Sequence, residues 1–399
     1  MNMIVIGSGI GGLLVGALYR DVTLFEKDQY LGGRFRNVPY KGFQLTTGAL
    51  HMIPHGATGP LAHMLQKAGV MCPIIDSDPE ATFYYQKNMR FKEVLPWLTS
   101  FEKMRMYAMV TRMRFTKGNN IAFKEFLEKK TTNDIIIRGV KSFCMWALSV
   151  DPSQVPCCEM FALVKSLLKY GGPGVPVGGC SGVINGLHQK MKENKNVIIH
   201  KKIIDIIADD HVQGVIDEDG KEYYDDIVVS DIGAKATSKL VSFPKEYQKK
   251  VDSLQPSMGI KYSIACKTPL LLHNGVMLTP GLEHISGVNQ VTNIDPSLAP
   301  KGWHLVMAHQ SLNSANVKKE KEKGLEDLEV LFKGMDYQVL GVHVHKENNP
   351  VNHAVSGQDM DQKTPVAGLY LVGDSAKGKG GMEVEGIALG VNRLIKLIQ

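Results

Sequence analysis

The first thirty-four residues, Met1 to Arg34, restrict the fold more than any other stretch of this chain. Met3-Ile4-Val5-Ile6 is a short apolar run of the kind that makes a buried parallel strand. Gly7-Ser8-Gly9-Ile10-Gly11-Gly12 follows at once and supplies the spacing G-x-G-x-x-G. Leu13 to Tyr19 is small and apolar, as a helix packed on a sheet requires. Val22-Thr23-Leu24-Phe25 reads as a second strand, with Glu26 at its carboxyl end. Each part has a physical role. Gly7 permits a tight turn, Gly9 lets backbone N–H groups approach a pyrophosphate, and Gly12 lets the helix lie close to the sheet. Gly11 sits in the same turn and is expected with them at the cofactor. The helix N-terminus adds unpaired donors and a positive dipole end. Glu26 can accept both ribose hydroxyls of an adenosine, and its charge disfavours the 2′-phosphate of NADP. A glycine turn in an ordinary core unit would leave Glu26 unexplained. The segment therefore predicts a dinucleotide-binding βαβ unit, with a helix about one turn shorter than usual.

The following residues separate flavin from nicotinamide. Lys27 succeeds the acid, and Leu31-Gly32-Gly33-Arg34-Phe35-Arg36 comes next. This arrangement resembles the FAD-binding opening of the amine oxidase and phytoene desaturase superfamily. The resemblance implies that Gly33 and Arg34 close over the FAD pyrophosphate, a task that suits the planar, always charged guanidinium. Without it, Arg34 and Arg36 read as a solvated basic loop. Near the other end, Gly368 to Val372 forms a strand that runs into Gly373-Asp374, a glycine turn at Gly378–Gly381 and a helix from Met382 to Leu397. Gly373 to Gly380 nearly spells a P-loop, but Gly380 stands where magnesium binding needs Ser or Thr, so nucleotide hydrolysis is excluded. The resemblance assigns Asp374, placed by the bend at Gly373, to ribityl or pyrophosphate groups. It assigns the flavin N1–C2=O edge to Met382, Glu383 and Val384, where a helix N-terminus stabilises the charge of the reduced ring.

Glu383 and Glu385 depart from the small residues usual in desaturases of that family. A raised pKa would make Glu383 a general acid or base, while the plain alternative is a pair of helix-start glutamates favoured by the dipole. In Thr46-Thr47-Gly48-Ala49-Leu50-His51, the resemblance puts Gly48 and Ala49 against the flavin edge, and Thr46 stands where the family commonly carries an acid. His51 and His55 are either proton donors or loop histidines without a role. The backbone of Ile203, with Ile206 three positions on, matches the family's adenine contact. No cysteine lies near Gly373–Glu385, so the FAD is expected to be non-covalent. No second G-x-G-x-x-G is present, which argues against a separate nicotinamide domain.

At 399 residues the chain exceeds one hydrophobic core. The resemblance implies an α/β fold in which a Rossmann-like FAD domain of the glutathione-reductase type is interleaved with an α+β substrate domain. The FAD domain draws on residues 1–75, 175–235 and 357–399. The substrate domain draws on 76–174, mostly helical, and 236–356, a sheet plus a helix. The glycine- and proline-rich segment from Gly171 to Gly179 marks one boundary. Leu98, Phe101, Met104, Tyr107, Ala108, Val110 and Thr111 recur near helical spacing, and the methionines around them suit either plain core or a tunnel for a greasy ligand. His343 and His345 share a strand face, but H-x-H without a third ligand predicts no metal site.

Net charge is +6, with no arginine-rich arm or zinc-finger spacing, so a nucleic-acid partner is not expected. The mild positive field suits peripheral contact with an anionic membrane surface. The six cysteines make no C-x-x-C and read as free thiols in a reducing cytosol. A cytoplasmic, membrane-touching protein is the expectation. The resemblance implies hydride transfer at flavin N5 to or from a lipophilic, isoprenoid or carotenoid-like substrate, as a desaturase or saturase with an unidentified electron acceptor. Two rivals stand beside it. One is an amine or porphyrinogen oxidase on the same fold. The other is a non-redox flavin-dependent isoprenoid isomerase or hydratase, in which Glu383 and His51 carry the chemistry.

Overall fold

Five short strands from three distant parts of the chain form one parallel sheet. The computed structural model describes residues 2–399 apart from 79, 80, 313 and 348. In spatial order the strands are Leu369–Leu371, Val228–Ser230, Met3–Ile6, Val22–Phe25 and Val197–Ile199. Met3–Ile6 lies in the middle, with Val5 opposite Val229 on one side and Leu24 on the other. All four of its residues are buried, as a strand covered on both faces must be. One face carries the helices Ile10–Leu18, Pro60–Ala68, Cys180–Glu193 and Glu383–Ile398, which pack Leu13, Leu14, Leu61, Leu187 and Val391 into one core. The other face carries a three-stranded antiparallel sheet, Ile203–Ala208, Val212–Asp217 and Glu222–Tyr224, which packs Ile206 and Val215 against Ile4 and Phe25.

A second, seven-stranded sheet has the order Gln338–His345, Gly259–Cys266, His304–Ser311, Gly287–Gln290, Met277–Leu278, Thr82–Tyr85 and Lys87–Arg90. Its last two strands are the hairpin of the otherwise helical segment 76–174, so that segment also contributes to the sheet. The chain leaves the first sheet past Ile74–Asp76 and returns through Gly174–Pro176, and these two stretches pair antiparallel. The glycine- and proline-rich segment Gly171–Gly179, read as a domain boundary, thus contains a strand.

Helices Ser100–Phe115, Asp134–Ala147 and Cys157–Tyr170 make up much of the segment 76–174, and the first of them carries the periodic stripe. The stripe on Ser100–Phe115 does not enter the core, however. Only Met113 is buried in that helix, because neighbours cover one side of it, and Phe101, Met104 and Tyr107 face outward.

Candidate cofactor and active site

The carboxyl ends of the parallel strands open into a cavity of about 970 Å³, the position expected for a ligand of an open α/β sheet. Gly7, Gly9, Glu26, Lys27, Gly33, Arg34, Gly48, Ala49, Ile203, Gly373, Asp374, Glu383 and Val384 line it. Of the remaining residues expected at the cofactor, Gly11 and Gly12 lie beneath the lining. Met382 lines a smaller neighbouring pocket instead.

At one end of the cavity the Glu26 carboxylate accepts hydrogen bonds from Ser8 N–H (2.9 Å), Ser8 Oγ (2.5 Å) and Asp28 N–H (2.9 Å). It is 7% exposed and fixed in place. The helix Ile10–Leu18 begins at Gly9 with no side-chain cap at Gly9 and no acidic residue in its first turn, so apart from Gly12 N–H its first donors are left for an anion. A Cβ on Gly12 would lie 2.1 Å from Gly7 O, and one on Gly9 would lie 2.4 Å from Asp231 Oδ2. The cradle therefore has room for backbone alone.

Asp231 was not anticipated. It sits at the end of Val228–Ser230 and accepts Gly12 N–H at 2.8 Å. Burial pushes its carboxyl up to about 8, and the nearby Asp374 adds to the rise. Its place at the carboxyl end of a parallel strand was the available signal.

Arg34, expected at the pyrophosphate, and Asp374, expected at ribityl or pyrophosphate groups, are each other's partners across the cavity wall. Arg34 also donates to Pro350 O (2.6 Å) and Val351 O (2.8 Å), and Asp374 accepts His353 N–H (2.9 Å). Together they fasten residues 350–353 to the glycine loop. Burial raises the Asp374 carboxyl, but Arg34, His353 and Lys377 outweigh that and hold it below the usual carboxylate range. Lys377, inside the near-P-loop but two residues before the place of its lysine, is buried against Asp359 (2.8 Å) and donates to Ala354 O and Asp374 O.

At the other end stands Glu383. It adopts φ +41°, a left-handed conformation that an ordinary residue holds only when its surroundings impose it. Burial raises its carboxyl to about 7, opposed by Lys377 and Arg34. Glu383, Leu50 and Met52 line both the large cavity and a second pocket of about 190 Å³. Phe143, Trp146, Leu167, Val276 and Leu278 give that pocket apolar walls. Glu385 has a different role. Its carboxylate accepts His55 N–H (3.1 Å) and Leu61 N–H (2.6 Å), anchoring the start of the helix Pro60–Ala68.

His51 corrects the sequence reading. It is fully buried and lies outside both pockets; Nε2 contacts Gln44 O (2.7 Å) and Nδ1 accepts Cys180 N–H (3.2 Å). Both nitrogens serve the backbone, and burial lowers its pKa to about 4. The geometry leaves no nitrogen for catalysis.

Lys261 was missed. It is the one charge in the buried strand Gly259–Cys266, and that isolation was a readable signal. Its Nζ donates to Thr46 O and to Gly48 O (2.8 Å), so it ties the second sheet to the loop at the cavity. Burial lowers its pKa to about 7. The strand register places His309 and His343 opposite it. His345, two residues beyond His343, lines the large cavity with neither ring nitrogen bonded.

The donor set and the shape fit a dinucleotide such as FAD. Glu26 suits ribose, the glycine loop and helix end suit a pyrophosphate, and Gly48, Ala49 and Val384 offer a smooth wall for a flat ring. A family model described as an NAD(P)-binding Rossmann-like domain matches residues 5–68. Over 405 aligned residues the chain is 45% identical to the uncharacterized protein MJ1488 of Methanocaldococcus jannaschii, covering 100% of this chain and 99% of that one. A crystal structure of an oxidoreductase from Methanosarcina mazei superposes with a TM-score of 0.95 at 38% identity, covering 99% of this chain and 100% of the other. Putrescine oxidase has the same fold at 13% identity, with a TM-score of 0.76 over 100% of this chain and 98% of its own. The architecture is thus a mixed α/β fold of the flavin amine oxidase type, with a Rossmann-like dinucleotide unit at its start.

Proposed function

Because the chain belongs to one family with the M. mazei oxidoreductase and the M. jannaschii protein, we propose that it is an FAD-dependent oxidoreductase acting on a lipophilic substrate of isoprenoid type. One observation carries the reading: an apolar pocket shares Glu383 with the cofactor cavity, so a greasy C–H bond and a titratable carboxyl meet at one point. Non-covalently bound FAD supplies a two-electron centre that accepts or donates hydride. The residues of the chain do the rest. Glu26 holds ribose, the glycine loop and Arg34 face the pyrophosphate, and Ile203 flanks the adenine. Glu383, with a carboxyl near neutrality, gives or takes a proton beside the reacting carbon. Trp146, Phe143 and Leu278 position the apolar group and exclude water. The pocket is small, so it accommodates the reacting end of a long chain rather than its whole length.

The test is the anaerobic spectrum of the purified, FAD-loaded protein mixed with an isoprenoid lipid extract. Bleaching of the flavin bands is expected. Bands that persist, with FAD bound, would overturn the lipophilic redox reading. A second reading, amine oxidation, is favoured by Asp78, which lines the same pocket as Glu383. Two carboxylates in an apolar pocket complement the two ammonium groups of a diamine. Bleaching by a diamine, and not by the extract, would select it.

A further inference from the structure

The helix Ser100–Phe115 is firmly capped and hardly packed. Thr99 Oγ1 accepts Glu102 N–H (3.2 Å) and Glu102 Oε2 accepts Thr99 N–H (2.7 Å), which starts the helix without tertiary help. Its inner side sets Met113 against the helix Cys157–Tyr170. Phe101, Met104, Ala108, Thr111 and Phe115 recur at spacings of three and four on the opposite side, all of them exposed. Phe101 is 55% exposed and Phe115 73%. Arg105 and Arg112 border this stripe along one edge, and Lys103 and Arg114 along the other. The Arg105 guanidinium lies 4.3 Å from the Phe101 ring centre. Glu102 is the only acid of the helix, and it is engaged at the cap. Trp97 and Phe91, just before the helix, are also exposed.

We propose that this face docks on an anionic lipid bilayer, with the helix lying in the plane of the interface. An apolar stripe with basic margins is the pattern of such helices. Phe101, Met104 and Phe115 would enter the acyl boundary while the four basic side chains meet headgroup phosphates. Charge argues against a second copy of the chain as the occupant. Both margins are basic, so a pair of these helices would place like charges at the positions where paired helices carry opposite ones. No helix among the described residues is long and apolar enough to cross a membrane, so the contact is peripheral.

The full chain is to be sedimented with vesicles of phosphatidylglycerol and, separately, of phosphatidylcholine. Binding to the anionic vesicles is expected, with at least tenfold weaker binding to the zwitterionic ones and release as salt shortens the Debye length. Arg105→Glu with Arg112→Glu is expected to weaken binding about 30-fold, at about fivefold per basic residue lost. Phe101→Ser with Phe115→Ser is expected to weaken it even on fully anionic vesicles. All four side chains are exposed, so both double variants should keep their circular dichroism and melting temperature. Any of three results would overturn the proposal: no sedimentation with phosphatidylglycerol, binding indifferent to both double variants, or a dimer in free solution that Phe101→Ser with Phe115→Ser converts to monomer.

Discussion

Glu383 and Glu385 stand two apart at the start of one helix, and their surroundings give them opposite duties. Glu385 is tied to two backbone N–H groups, while no protein donor engages Glu383 among the described hydrogen bonds. The sequence made both notable but did not say which was free, because the partners of Glu385, namely His55 and Leu61, are over 300 residues away. His51 was misjudged for the same reason. A histidine beside a flavin-loop glycine reads like a proton donor until Gln44 and Cys180 occupy it. A pH signature follows for Glu383. Its folded pKa is raised to about 7 from an ordinary 4.5, so the native state binds more protons than the unfolded state between those values. Its contribution to stability is therefore fully present below pH 4.5 and is lost as pH rises through 7. Gln mimics the protonated form. In urea melts of the cofactor-free protein, Glu383→Gln should match the wild type at pH 4.5 and then gain on it by about 1.4 kcal/mol per pH unit up to 7. A constant difference across that window would show that Glu383 titrates normally.

Among elements, the opening strand–turn–helix was the most legible, because its glycine spacing, its apolar runs and Glu26 all lie within one short stretch. Gly7 to Gly12, the short helix and Glu26 all appear where the spacing put them. Asp231 beneath that turn was not legible, since it is 219 residues from the N–H group it accepts. The two glycines above it should tolerate substitution differently. A methyl group on Gly9 meets a carboxyl that can swing aside, whereas one on Gly12 meets the Gly7 carbonyl, which cannot. Gly12→Ala is expected to destabilise by about 1–3 kcal/mol and to purify with little FAD, and Gly9→Ala to keep most of its stability while losing FAD through the crowded approach to the pyrophosphate. Melting temperature would rank them, with the ratio of flavin to protein absorbance low in both; the reverse order would refute this account of the cradle. The helix Ser100–Phe115 shows the limit of periodicity. Spacing identified its stripe, but a stripe does not say whether protein or something else covers it.

At the scale of the molecule, one buried lysine ties the second sheet to the border of the cavity. Lys261 extends from the second sheet to the carbonyls of the loop that borders the cavity. As a neutral amine it still has N–H groups for those carbonyls and a lone pair for a proton. Lys261 lines neither pocket, so its titration is read in stability. Its pKa is lowered to about 7 from an ordinary 10.5, so the native state binds fewer protons than the unfolded state between those values and stability rises with pH across them. In urea melts the wild type should gain on Lys261→Met by about 1.4 kcal/mol per pH unit from 7 to 10.5; a constant difference would show that Lys261 titrates normally. The apolar strands of both sheets could be read from the sequence, and the likeness at its two ends suggested how they interleave. The pairing of residue 74 with residue 176 could not, because neither stretch carries a strand pattern strong enough to call for its partner.

The order of the parallel sheet has a consequence for synthesis. Met3–Ile6 is made before its neighbour Val228–Ser230 and the edge strand Leu369–Leu371, which follow more than 200 and 360 residues later. The glycine loop therefore waits, with its strand unpaired on one side, until the second of three separate stretches has been made. The Arg34–Asp374 pair that closes the cavity wall cannot form until residue 374 has appeared, so the enclosure of any ligand there reports that all three stretches have come together.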